Sequence, residues 1–101
     1  MIIILTTLAD YEKLKEIGRN LLEERLIACY NLMPIESGYW WKGKIEEEKA
    51  FLMILKTKSE RFAQVQKFIA ENTPEETPEI ISVEAGEVDQ KYLAWLNSEV
   101  K

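Results

Sequence analysis

Glu75, Glu76 and Glu79 crowd around Pro74 and Pro78. Carboxylate oxygens at that density suit a hard divalent cation held loosely. The plainer alternative is a solvated acidic turn, since charge runs on loops are ordinary. Cys29 is the only thiol. Its thiolate would serve a soft metal such as copper or zinc if nearby positive charge lowered its pKa; otherwise it packs as a small apolar side chain. These four residues are the candidate metal ligands. A second set is Tyr39, Trp40 and Trp41 with Lys44 and Lys56. Aromatic walls with a few polar groups are the usual make-up of a ligand pocket, and the two lysines would supply cations for a small anion in a cleft between subunits. The competing reading is interface packing, where aromatics are enriched. Catalysis has little to work with. Histidine, the commonest general base, is absent, and no nucleophile elbow, phosphate loop or paired metal-ligand motif occurs. A carboxylate pair such as Glu48 and Glu76 is the nearest approach to acid–base machinery, so the chain is expected not to be an enzyme and to require no cofactor.

The elements that must position these residues follow from periodicity. Met1–Leu5 is an unbroken apolar, largely β-branched run, as in a strand buried on both faces. Asp10 offers an N-cap, and Tyr11, Leu14, Ile17, Leu21 and Leu22 recur at helical spacing as far as about Arg25. Gly18 inside this helix costs roughly 1 kcal/mol relative to Ala, which points to a close helix-to-sheet contact. Leu26–Leu32 reads as a strand, bulged or bent where Pro34 removes a donor. Tyr39–Ile45 reads as a tight hairpin turning at Lys42-Gly43, with Trp41 facing Lys44, Trp40 facing Ile45 and Tyr39 facing Glu46. The return strand continues through Phe51–Leu55, and Glu46, Glu47 and Glu48 either attract cations or blunt an exposed edge. Thr57 or Ser59 is expected to cap a helix carrying Phe62, Val65, Phe68 and Ile69. Glu79–Ala85 is the fourth strand, and Asp89 caps a last helix with Tyr92, Leu93 and Leu96 inward.

The order β-α-β-β-α-β with a trailing helix is the split βαβ arrangement, so the predicted class is α+β, a ferredoxin-like sandwich with an extended hairpin and a C-terminal helix. All 101 residues are read as a single domain, the size at which one core suffices. At 47% hydrophobic and 31% charged residues, the composition is that of a globular protein. A net charge of −5 argues against nucleic acid, whose affinity comes from clustered Lys and Arg. No stretch is long enough to span a bilayer, and Met1–Leu5 is too short for a signal peptide's apolar region. With one cysteine and no internal disulfide, the expected location is the cytoplasm. Helices on one sheet face leave the other bare, and adjacent tryptophans on opposite faces of a hairpin cannot both enter one core. A second copy of the chain is therefore expected.

Several stretches resemble the CutA divalent-cation-tolerance family. They are Ala28-Cys29-Tyr30-Asn31, Tyr39-Trp40-Trp41-Lys42-Gly43-Lys44-Ile45, Lys56-Thr57, Pro78-Glu79-Ile80-Ile81 and Tyr92-Leu93-Ala94-Trp95-Leu96. In this order they cover nearly the whole chain. The resemblance implies a ferredoxin-like subunit, a homotrimer assembled through sheets and hairpin, and a role in divalent-cation tolerance and metal homeostasis. The family's His-Pro-Tyr-Glu turn is Thr73-Pro74-Glu75-Glu76 here, and the first-strand cysteine of members described as copper-binding looks like Thr6. Two other roles suit the same fold. One is a PII-like trimeric signalling module binding a small anion between subunits. The other is an acylphosphatase-like enzyme, disfavoured because Thr6-Thr7-Leu8-Ala9-Asp10 lacks the Arg and Gly of a phosphate-cradling loop.

Overall fold

The computed structural model describes residues 1–101. Its elements are β1 (Ile2–Leu8), α1 (Tyr11–Glu23), β2 (Cys29–Trp41), β3 (Lys44–Thr57), α2 (Phe62–Asn72) after a 3-10 turn at Ser59–Arg61, β4 (Ile80–Glu84) and α3 (Gln90–Glu99). The strands form one antiparallel sheet in the order β2-β3-β1-β4. Both helical crossovers arise because β1 and β3, which follow apolar runs, take the centre, while the charged or shorter strands take the edges. This is the ferredoxin-like arrangement.

One sheet face carries Ile2, Ile4, Leu8, Met53 and Leu55, all buried against Leu14, Ile17 and Leu21 of α1 and Val65 and Ile69 of α2. The period of two in β1 and of three to four in the helices meets here, so each element hides its apolar stripe on the same layer. Gly18 marks the tightest approach. A Cβ there would stand 2.8 Å from Met53 Sδ and 3.0 Å from the Tyr30 ring.

The other face is built from Ile3, Leu5 and Thr7, flanked in register by Lys56, Ile54 and Leu52 of β3 and by Val83 and Ile81 of β4. The expectation that β1 is buried on both sides is met on one side only. Ile3 and Leu5 are half-buried, and Ile81 and Val83 are each 47% exposed. α3 reaches round to this side at the end where Tyr92 meets Cys29.

Beyond Leu8, which pairs with Phe51, β2 and β3 run on without β1 as a two-stranded arm to Trp41 and Lys44. The molecule measures 45 × 26 × 21 Å along its principal axes. Trp41 faces Lys44, Trp40 faces Ile45 and Tyr39 faces Glu46, as expected. The turn has both central residues at positive φ, Lys42 at 50° and Gly43 at 78°, the twist that a two-residue hairpin loop requires.

Three local expectations are corrected. The β2–β3 ladder passes through Pro34 opposite Phe51 with no bulge. β2 is an edge strand, where a missing donor can face away from the ladder. Neither Thr57 nor Ser59 caps α2, for Thr57 is fully buried and donates to the Leu26 carbonyl at 2.7 Å instead. Helix α1 stops at Glu23, and Arg25 turns left-handed at φ 57°.

Candidate functional site

The arm, from Glu36 along to Trp41, and the turn before β4 border a cleft of about 830 Å³. The arm supplies Glu36, Tyr39, Trp40, Trp41 and Glu48, and the turn supplies Glu75, Glu76 and Glu79. β1 contributes Thr7 and Leu8 as its floor. Five glutamates thus line one cleft, and no lysine or arginine does.

Register explains the arm's contribution. Tyr39 pairs with Glu46, which places Glu48 diagonally across on the same face. The Tyr39 hydroxyl donates to Glu48 Oε1 at 3.1 Å. That bond to a carboxylate holds the phenol above its ordinary value of 10, with smaller contributions from slight desolvation and from the charges of Glu48, Glu46 and Glu75. Glu75 belongs to the turn, so arm and turn share one negative field. Thr73 Oγ1 accepts from the Glu75 amide at 3.2 Å and shapes the turn's first bend.

The structure therefore brings Glu75, Glu76 and Glu79 together with Tyr39, Trp40 and Trp41. It separates the other candidates. Lys44 is at the arm's tip, whereas Lys56 is at the opposite end of β3, roughly 40 Å away at about 3.4 Å per residue. The ammonium nearest to Trp41 is that of Lys42, 5.5 Å from the ring centroid. Cys29 pairs with Lys56 and is not part of the acidic cleft. No three His, Cys, Asp or Glu side chains are grouped so as to hold a metal ion. The cleft's carboxylates do not converge on one point within a single chain.

Cys29 and Lys56 belong to a second polar cluster. Lys56 Nζ donates to Asn31 Oδ1 at 3.2 Å and stands 5.9 Å from the Tyr92 ring centroid. Cys29 Sγ lies 3.5 Å from the Tyr92 hydroxyl. The Tyr92 phenol is pushed up to about 12, first by its contact with the Cys29 thiol and then by partial burial. Sequence reasoning missed Glu36 in the cleft and the role of Asn31 and Tyr92 here. Asn31 could have been found, being two residues from Cys29 on the same face of β2. Tyr92 reaches the cluster only through the docking of α3.

The comparisons with known proteins agree with this geometry. The family model described as CutA1 divalent ion tolerance protein matches residues 2–99. The divalent-cation tolerance protein CutA of Pyrococcus horikoshii is 43% identical over 101 residues, which is 100% of this chain and 99% of the relative. The crystal structure of CutA1 from Pyrococcus horikoshii superposes with a TM-score of 0.95 at 42% identity, covering 100% of this chain and 99% of that one. The PII-like protein CutA from Nostoc sp. PCC 7120, in its apo form, gives a TM-score of 0.93 at 31% identity over 100% of this chain and 98% of that one. A model match along almost the entire length, joined to this identity and this superposition, means that the chain belongs to the CutA1 divalent ion tolerance family.

Proposed function

We propose that this chain works as a homotrimer in divalent-cation tolerance, holding cations weakly at the acidic cleft rather than catalysing a reaction. The observation that carries the reading is the lining of that cleft: five glutamates, no basic residue, and an aromatic wall. Such a surface concentrates cations through its summed field. The donors are carboxylate oxygens, without imidazole or sulfur, and that set suits hard divalent cations and lacks the soft ligands that select copper(I). Because the carboxylates of one chain do not converge, the cations are held loosely. A neighbouring subunit would draw the ligands closer. The site of action is the cytoplasm, where Cys29 stays reduced.

Calorimetric titration with Zn²⁺, Mg²⁺ and Cu²⁺ tests this reading. Saturable heat with zinc, lost in a chain carrying Glu75→Gln, Glu76→Gln and Glu79→Gln, is the expected result. No heat with any of the three at millimolar concentration removes direct cation binding.

A second reading is a PII-like module that binds a small anion between subunits. What favours it is Lys56, a cation beside the Asn31 amide and the Tyr92 ring. Lys44 would have to come from another subunit to share that site. Anion binding abolished by Lys56→Ala, alongside a silent zinc titration, would select this reading over the first.

A further inference from the structure

The arm ends in two ammonium groups that its own chain leaves without a carboxylate. Lys42 and Lys44 flank Gly43 at the tip, and neither belongs to any of the molecule's ion pairs. Lys42 has only the Trp41 ring, 5.5 Å away. Trp40 and Ile45, paired across the ladder just behind them, are largely exposed. A Cβ at Gly43 would meet nothing within 4 Å, so the tip stands clear of its own chain.

The acidic cleft has the opposite surplus. Of its five glutamates, Glu48 has a partner in the Tyr39 hydroxyl at 3.1 Å. The carboxylates of Glu36, Glu75, Glu76 and Glu79 accept no hydrogen bond and join no ion pair. Like charges gathered in one cleft repel one another, and their summed field draws in cations from outside the chain. Other surfaces make no such demand on a cationic tip. A second gap, beside α3, has its charges paired already: Glu99 with Arg25 and Glu23 with Arg19, each at 3.0 Å. The Cys29 end of the sheet carries Lys56, which repels a further ammonium.

We propose that the arm tip of one subunit docks at the acidic cleft of the next, where Lys42 and Lys44 are the cleft's built-in cations and divalent metal ions compete with them. The proposal rests on the trimeric, cation-holding reading above and names the regulation of that same cleft. A threefold ring joins unlike surfaces, each subunit giving one and receiving the other. A cationic tip and an anionic cleft on the same chain therefore satisfy all three subunits at once, and the docked tip gives Trp40 and Ile45 a surface to pack on. The ion pairs are of the weak, salt-screened kind, so the apolar sheet face holds the trimer while the tip sets the occupancy of the cleft. Linkage then runs both ways: the tip weakens metal binding, and a bound metal loosens the tip by the same factor.

A water-soluble carbodiimide joins an ammonium to a carboxylate where the two already touch and leaves no spacer between them. Applied to the full-length protein at low salt, it is expected to give covalently joined chains on denaturing electrophoresis. Peptide mapping of those bands should place the new amide between Lys42 or Lys44 and Glu36, Glu75, Glu76 or Glu79, and saturating zinc should suppress it. A chain carrying Lys42→Gln and Lys44→Gln should lose these bonds, still sediment as three chains, and bind zinc about tenfold more tightly in calorimetry. Tip lysines of a trimeric protein that join only carboxylates of their own chain, or carboxylates outside the cleft, overturn the docking. Zinc affinity that is the same in both chains overturns the competition. A native protein that sediments as a single chain takes the trimer reading down with the proposal. Zinc heat absent from both chains removes the cation reading and the competition drawn from it, and the mapped bonds decide the docking independently.

Discussion

Gly18 shows how one missing atom sets a helix on a sheet. Replacing it by alanine gains roughly 1 kcal/mol of helix propensity. The new Cβ, however, would lie 2.8 Å from Met53 Sδ and 3.0 Å from the Tyr30 ring, and Met53 is fully buried. Overpacking of this kind costs about 1–3 kcal/mol. Gly18→Ala is therefore expected to lower the urea midpoint at unchanged slope, and a raised midpoint would mean that the ring and thioether relax more readily than their packing implies. Tyr92 offers a second test at this scale. Its phenol titrates near 12 in the folded chain against an ordinary value of 10, so the folded state holds the proton more tightly. The resulting stability is complete below pH 10 and is lost as pH rises through about 12. Denaturation at pH 9, 10.5 and 11.5 should show a decline that Tyr92→Phe makes shallower; parallel declines would place the effect on other groups.

The hairpin arm is an element held by its turn and its ladder alone. Gly43 sits at φ 78° with nothing within 4 Å of a Cβ, so Gly43→Ala meets no neighbour and only backbone strain. Its cost is about 1–2 kcal/mol, read as a lower thermal midpoint. Gly86 is equally open but carries no such φ, so Gly86→Ala should be neutral or slightly stabilising through the unfolded chain. Equal effects at the two positions would remove the conformational explanation. The arm's function also lives at this scale: by carrying Tyr39 and Glu48 past the end of β1, it forms one wall of the acidic cleft.

At the scale of the molecule, the proposed trimer rests on surface that one chain leaves open. Met33, Ile81 and Val83 are exposed on the bare face, and Trp40 and Ile45 on the arm are 72% and 63% exposed. Apolar patches of this extent mark association surfaces. Sedimentation should give three times the 11.8 kDa chain mass for the native protein. Ile54→Glu at the centre of that face should shift it to the single-chain mass. Gln66→Glu, on the exposed surface of α2, makes the same change of charge and should leave the mass alone. A native protein that stays folded at the single-chain mass would end the trimer reading.

The sequence by itself determined the fold class, the strand and helix order, the hairpin register and the family. Each is written in short-range terms: apolar spacing, the Asp10 and Asp89 caps, the positive-φ turn at Lys42-Gly43, and ordered motifs such as Tyr39-Trp40-Trp41. It also singled out Glu75, Glu76 and Glu79 as candidate ligands and Glu48 among the hairpin carboxylates that could attract cations, leaving Glu36 as the one cleft glutamate it passed over. Only the tertiary structure decided which candidates meet. Lys44 and Lys56 sit on one strand yet at its two ends, and Cys29 lies with Lys56 away from the acidic turn, because antiparallel pairing sets distance by position along the ladder. The Arg25 junction with Glu99 was likewise out of reach. It joins residues far apart in the chain through the docking of a whole helix, and no local pattern of side chains specifies where a helix comes to rest.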